Sequence, residues 1–111
     1  MRVLAKMERM LTGDFDLILS NIEHGIMKGS VSASLEDGSD FISDGCRCSV
    51  RVFERYSALG SNRVSLSVTL FQGKDGTIHL SAITSGGSQA VFFKINTFGE
   101  QAFLDKLAEV L

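Results

Sequence analysis

The residues of this chain with the clearest chemical potential are two cysteines separated by one position, Cys46 and Cys48. Two thiolates could bind a soft metal ion, but a structural zinc site needs four ligands, and the chain has only two histidines to add. Both cysteines also continue an alternating apolar series with Val50 and Val52, and a buried cysteine packs as a small hydrophobic residue. We therefore expect both side chains in the core, and no metal or cofactor site.

The second candidate is His79, which the alternation places beside Phe71 on the polar side of a predicted strand pair. Nearby hydroxyl side chains could make it a general base for a serine, but a catalytic triad also needs an acid that orients the imidazole. The polar side of these two strands offers no acid. A solvated histidine against an aromatic ring is favoured, and we expect the protein not to be an enzyme.

The third candidate is a row of arginines, Arg47, Arg51 and Arg55, which alternates along one predicted strand that also contains Phe53. Guanidinium groups could hold phosphate or carboxylate by forked hydrogen bonds, which would make the row an anion site. They could equally pair with acidic residues at positions 36 to 40 of the preceding strand. Arginine is also enriched at protein interfaces, so all three interpretations stay open.

The elements that would position these groups show strict apolar–polar alternation, which predicts four half-buried strands. Their expected buried side consists of Val31, Ala33 and Leu35; Cys46, Cys48, Val50 and Val52; Val64, Leu66, Val68 and Leu70; and Ile78, Leu80 and Ala82. The opposite side carries mainly serine, threonine and arginine, and we expect it to be open to a partner. The residues predicted to form this interaction surface are Arg47, Arg51, Phe53, Arg55, Phe71, His79 and Ile83.

The Gly-Lys-Asp-Gly segment at 73–76 suits a type I turn followed by a left-handed glycine. This turn sets the register of the hairpin around it. Leu70 is expected opposite Leu80 on the buried side, and Phe71 opposite His79 on the open side.

Two amphipathic helices accompany the strands. Asp14 is a good N-cap for the first, whose apolar stripe runs from Phe15 to Ile26 before Gly29 ends it. A capping box at 97–100 begins the second helix, which continues to residue 111.

The remaining strands have less distinct patterns. We predict further strands at 2–9 and 89–95. The Asp-Gly-Ser-Asp segment at 37–40 is expected to end the alternating strand at 30–36.

Together the elements predict an α+β fold in the order β-α-β-β-β-β-(β)-α. Both helices are expected on one face of a single antiparallel sheet of five to six strands, because each element has one apolar side to bury. This arrangement resembles the TATA-binding-protein-like or helix-grip architecture. At 111 residues, the whole of 1–111 is expected to be a single domain.

The net charge of −2 gives the surface no general attraction for nucleic acid or anionic lipid. No apolar run approaches the roughly 18 residues that span a bilayer. Residues 1–11 also lack the apolar region of a signal peptide. We therefore expect a cytoplasmic protein with reduced cysteines that binds neither nucleic acid nor membrane.

Three longer segments look familiar together: SASLEDGSDF at 32–41, RVFERYSALGSNRVSLSVTL at 51–70 and SAITSGGSQAVFFKINTFGE at 81–100. They resemble a family of small, single-domain bacterial proteins of unknown function, seen mainly in Gram-positive anaerobes and bacilli. The resemblance implies a stand-alone cytoplasmic protein, and it brings no activity, ligand or catalytic residue with it.

These features favour a non-catalytic interaction module that self-associates, as a homodimer or higher oligomer, through the open sheet face. One alternative is a small-ligand protein with a pocket between sheet and helices, suggested by the architecture and a phenylalanine-rich core. The other is anion binding by the arginine row.

Overall fold

A computed structural model of the chain describes residues 4–29, 32–57 and 62–86. Its elements are β1 (Leu4–Leu11), α1 (Phe15–Gly29), β2 (Ser34–Ser43), β3 (Cys46–Ser57), β4 (Asn62–Gln72) and β5 (Ile78–Gly86). The strand predicted near the start of the chain is confirmed. The strand predicted at 89–95 and the helix predicted at 97–111 lie outside the described residues.

The five strands form one antiparallel sheet in the order β1-β5-β4-β3-β2, which confirms the α+β class and the meander from β2 to β5. β1 lies at the far edge beside β5, so the chain has to cross the sheet between β1 and β2. Helix α1 makes this crossing. Its 15 residues span about 22 Å, close to the ~19 Å between the outer strands of a five-stranded sheet.

Helix α1 begins as its sequence predicts. The Asp14 Oδ1 accepts a hydrogen bond of 3.0 Å from the backbone N–H of Leu17, which is N-cap geometry. The residues that the helix buries are Phe15, Leu19, Ile22 and Ile26. Ile18 packs at the margin of the same stripe, so the predicted apolar face is confirmed.

β4 and β5 supply the other half of the core. Their buried apolar side chains are the predicted ones: Val64, Leu66, Val68, Leu70, Ile78, Leu80 and Ala82. The hairpin also has the predicted register, with Leu70 opposite Leu80 and Phe71 opposite His79. Gly76 adopts the expected left-handed conformation, with φ of 87°.

β3 faces the opposite way from the prediction. Its pairing with β4 sets Arg51 opposite Val68 and Phe53 opposite Leu66, so its odd-numbered side chains share the face that α1 covers. Phe53 is fully buried there. The residues wrongly predicted in the core, Cys46, Cys48, Val50 and Val52, lie on the side that α1 leaves open.

The inversion of β3 has two physical causes. Phe53 is the only phenylalanine of β3, and burying it removes more apolar surface from water than burying a cysteine does. The arginines on the same side find carboxylates on α1, so their charges are not buried unpaired. Glu54, which the predicted facing would have buried, lies on the open side and forms an ion pair with Arg63.

β2 is longer than predicted. The strand does not break at 37–40 but continues to Ser43, and this segment pairs with β3 throughout. The turn is made by the next Asp-Gly pair, Asp44 and Gly45, whose φ angles of 53° and 80° are typical of a type I′ hairpin. Of two Asp-Gly signals seven residues apart, the second therefore forms the turn.

The start of β2 is only loosely joined to the core. A bulge between Leu35 and Asp37 interrupts the pairing with β3. Leu35 is exposed, in contrast to the prediction, while Ala33 packs against the core. Val31 falls outside the described residues.

Candidate functional site

The structure divides the predicted interaction surface between the two faces of the sheet. Arg47, Arg51, Phe53 and Arg55 lie on the face that α1 covers, which we call the helix face. Phe71, His79 and Ile83 lie on the opposite side, which we call the open face. These seven side chains therefore do not form one surface, because β3 is turned over relative to the prediction.

Arg47 joins β3 to the first turn of α1. Its Nη2 donates to Asp16 Oδ1 over 2.7 Å. Its guanidinium carbon lies 4.0 Å from the centre of the Phe15 ring. An ion pair and a cation–π contact therefore hold the same group, and both tie the sheet to the helix.

Arg51 makes a second link to α1, two helical turns further along. Its Nε donates to Glu23 Oε2 over 2.7 Å, and only 14% of its side chain is exposed. Its Nη2 lies 3.1 Å from an Asp40 carboxylate oxygen on β2. Burial disfavours the charged guanidinium, but the hydrogen bonds to both carboxylates outweigh it and raise the pKa of Arg51 above its usual value.

Asp40 receives hydrogen bonds from two side chains of β3. The Ser49 hydroxyl donates over 2.6 Å, and Arg51 donates a second, longer bond. The Ser49 hydrogen bond, opposed by desolvation and supported by Arg51, holds the pKa of the Asp40 carboxyl below its usual value. Asp40, one of the acidic residues predicted to pair with the arginine row, therefore pairs with Arg51.

Two of the three arginines in the row contact the helix. Arg47 and Arg51 are already paired with Asp16 and Glu23, so a dissolved anion would have to displace the protein's own carboxylates. Burial lowers the pKa of the half-buried Arg55 below its usual value. These contacts weaken the anion-site alternative.

Among the described residues, core side chains occupy the space between α1 and the sheet, which is where a ligand pocket was the alternative prediction. A cleft of about 440 Å³ lies instead at the β2 edge. Its lining includes the acidic residues Glu23, Glu36, Asp37 and Asp40 together with Arg51. The excess of acidic groups makes it a poor match for an apolar ligand.

The open face carries one row of large side chains that crosses all five strands. Consecutive strand pairings join Phe41 to Cys48, Cys48 to Phe71, Phe71 to His79, and His79 to Met10. We call these five residues the ridge. Met10 is 71% exposed, Phe41 62% and Phe71 40%.

Two rows of mostly smaller side chains lie beside the ridge, and we call them the valley. In pairing order they are Ser39, Val50, Thr69, Ser81 and Glu8, followed by Asp37, Val52, Ser67, Ile83 and Lys6. Valine, threonine and serine occupy the centre of the row next to the ridge, so the surface is lower there than along the ridge. The second row contains the larger Ile83, which is 42% exposed.

Grooves flank Phe71 on both sides. A groove of about 390 Å³ toward β1 is lined by residues that include Glu8, Met10, Thr69, His79 and Ser81. A groove of about 200 Å³ toward β2 is lined by residues that include Phe41, Ser43, Cys46 and Cys48. The Phe71 and His79 ring centres are 6.3 Å apart, which confirms the expected aromatic contact.

Glu8 is an acid on the same face as His79 that the sequence reasoning missed. It lies opposite Ser81, whereas His79 lies opposite Met10, so the acid is diagonal to the imidazole. Diagonal neighbours on paired strands are roughly 7–8 Å apart, which a long side chain can span, so the pairing alone does not fix the carboxylate against the ring as a triad requires. No local pattern could have found Glu8, because its position depends on β1 joining β5.

Both cysteines are free thiols that are partly exposed on the open face. Cys48 lies directly between Phe41 and Phe71, and Cys46 lies opposite Ser43 where the hairpin turn begins. The expectation that they pack in the core is wrong, because they occupy the side of β3 that α1 does not cover.

Residues 4–111 match the model of a family described as a family of unknown function, DUF6054. No curated protein matches the sequence. In the described part of the chain, no helix has the length and apolar character needed to cross a membrane.

Solved structures resemble the chain at low sequence identity. Protein MLL2253 from Mesorhizobium loti has a TM-score of 0.53 and 16% identity, over 96% of this chain and 95% of that one. The Ran-binding protein Mog1p of Saccharomyces cerevisiae has a TM-score of 0.50 and 8% identity, over 96% of this chain and 65% of that one. At such identities the similarity shows the fold alone.

Proposed function

The chain belongs to the family of unknown function DUF6054, and we propose that it is a non-catalytic interaction module whose open face binds the open face of a second copy. The ridge carries the proposal. It places Phe41, Phe71 and Met10 in one line across the sheet, where α1 does not cover them. Contiguous exposed apolar surface on a monomer is typical of an interaction site.

The shape of the open face favours a second copy as the partner. A two-fold axis in the interface plane, parallel to the ridge and between ridge and valley, sets the ridge of each copy in the valley of the other. Phe71 then faces the partner's Thr69, and Phe41 faces the partner's Ser39. Large rings meet small hydroxyl side chains at both contacts, so one surface is complementary to itself.

The size of the open face is also sufficient. Five strands spaced 4.8 Å apart, with about nine residues each, present roughly 700 Å² in projection. A standard protein interface buries about 800 Å² of accessible surface on each partner. The face can therefore support a specific dimer without help from the edges of the sheet.

We also propose that the protein has no catalytic activity and that it is located in the cytoplasm. Support for the first is the diagonal placement of Glu8 relative to His79, which leaves the imidazole without a directly opposed acid. Support for the second is the pair of free, partly exposed thiols, which persist in a reducing compartment.

Sedimentation velocity over the micromolar range tests the self-association. The wild type should form a reversible dimer, and the double variant Phe41→Glu with Phe71→Glu should remain a monomer, because its carboxylates would be buried unpaired. Leu17→Glu is the matched control, since Leu17 is an exposed apolar residue of α1. It should dimerise like the wild type.

Circular dichroism establishes that each variant is folded. A wild type that stays monomeric at the highest concentration would overturn the proposal. So would a Leu17→Glu variant that dissociates as completely as the double variant.

A further inference from the structure

We propose that Cys46 and Cys48 bind one soft monovalent metal ion, Cu(I), between their two sulfur atoms. These are the only cysteines of the chain. One copy of the chain supplies both ligands of this site, so metal binding is a property separate from self-association.

Strand pairing places both thiols on the same side of β3. Cys46 is opposite Ser43 and Cys48 is opposite Phe41, and these pairs are separated by one residue along each strand. The two-residue turn at Asp44 and Gly45 closes this end of the hairpin and fixes the start of β3. The two sulfur ligands are therefore carried by regular backbone rather than by a loop.

The spacing of the two cysteines suits a bridging ion better than a disulfide. Alternate residues of a strand have Cα atoms about 6.6 Å apart, near the upper limit of roughly 6.8 Å for disulfides. Closing the bond would thus strain the strand. Two metal–sulfur bonds placed end to end, each as long as the zinc–sulfur bond of about 2.3 Å, would let the sulfur atoms stay ~4.6 Å apart.

The surroundings favour a soft ion with few ligands. In the described part of the chain, no group of three or more histidine, cysteine or acidic side chains could hold a metal ion. Zinc, which requires four ligands in a structural site, is therefore disfavoured. Phe41 and Phe71 help to line the 200 Å³ groove that holds both thiols, and such an apolar wall suits a weakly hydrated ion bound by thiolates.

Binding exchanges protons for the metal and involves no electron transfer. Both thiols lose their protons, two sulfur–metal bonds form, and the product is one bis-thiolate Cu(I) unit of charge −1 with two protons released. Affinity should therefore rise with pH, since metal and protons compete for the same sulfur atoms.

Anaerobic titration with Cu(I) against a competing chromophoric chelator tests the site. The wild type should bind one equivalent. Cys46→Ser and Cys48→Ser should each lose at least roughly 100-fold in affinity, because even outer-shell partners of a metal are worth ~10- to 100-fold. The double serine variant should show no specific binding.

Met10→Leu and His79→Gln are the controls, since they remove the other soft or nitrogen donors of the ridge. Both variants should bind Cu(I) like the wild type, and X-ray absorption should show two sulfur neighbours and no nitrogen. The proposal is overturned if the double serine variant binds one equivalent with unchanged affinity. It is also overturned if single serine variants lose less than about tenfold, or if His79→Gln weakens binding.

Discussion

The two faces of the sheet distribute charge and apolar surface in opposite ways. On the helix face, β3 holds Arg47 and Arg51 beneath α1. On the open face, the alternate positions of the same strand point small apolar side chains away from α1: Cys46, Cys48, Val50 and Val52. The charged side of β3 can be buried because two carboxylates of α1 pair with its arginines. Which side of a strand is buried therefore depends on the side chains of the helix that covers it as well as on the polarity of the strand.

The largest expected difference between the faces concerns two phenylalanines on neighbouring strands. Phe53 of the helix face is 0% exposed and Phe71 of the open face is 40% exposed. Phe53→Ala should lower the free energy of unfolding by about 3–5 kcal/mol, and Phe71→Ala by about 1 kcal/mol. Urea denaturation of both variants measures this, and equal losses would contradict the assignment of the faces.

A smaller difference is expected between two ion pairs. The Arg51–Glu23 pair lies under α1, whereas the Arg63–Glu54 pair lies on the open face, where 53% of the Arg63 side chain is exposed. Arg51→Met should cost about 1–3 kcal/mol of unfolding free energy because it leaves Glu23 partly buried without its donor. Arg63→Met should cost less than ~1 kcal/mol.

A double-mutant cycle that combines Arg51→Met with Glu23→Gln isolates this coupling from other losses. A coupling energy of zero would show that α1 docks without the arginine, and the explanation given for the facing of β3 would be wrong.

The smallest effect is the acid dependence of stability that Asp40 on the helix face contributes. The pKa of Asp40 is lowered in the folded protein from 3.8, so its contribution is present above that pH and is lost as the pH falls through the folded value. Asp40→Asn should therefore lose less stability than the wild type below about pH 4.

Two serines provide matched controls for this acid effect. Ser49→Ala removes the main hydrogen bond to Asp40 and should weaken the acid dependence, while Ser39→Ala on the open face should leave it unchanged. Denaturation midpoints measured from neutral to acidic pH distinguish them. If Ser39→Ala weakens the dependence as much as Ser49→Ala, the assignment to Asp40 fails.

The sequence predicts correctly those parts of the fold in which two independent local patterns indicate the same structure. The hairpin of β4 and β5 combines alternation with a specific turn at 73–76, and α1 combines an N-cap with an apolar stripe. In β3 the local signals did not agree, because each side of the strand carries apolar residues that could be buried. Two features of the sequence could have indicated which side of β3 is buried. Glu54 fits only the open side, and the acids Asp16 and Glu23 lie beside the apolar stripe of α1, where they can pair with arginines.

The candidate site was predictable only in part for the same reason. Phe71 and His79 follow from the hairpin register alone. Phe41, Cys48 and Met10 depend on the facing of β3, the true turn after β2 and the pairing of β1 with β5. These are tertiary outcomes that a periodic pattern within one segment does not contain.

The pairing of β1 with β5 also has a consequence for folding during synthesis on the ribosome. Leu4 leaves the ribosome well before Ser85, its partner in the sheet, because 80 residues lie between them in the sequence. At a synthesis rate of roughly 5–20 residues per second, β1 must wait for seconds before β5 emerges. During that interval β1 lacks its partner strand and is accessible to chaperones, and the meander from β2 to β5 can assemble before β1 joins it.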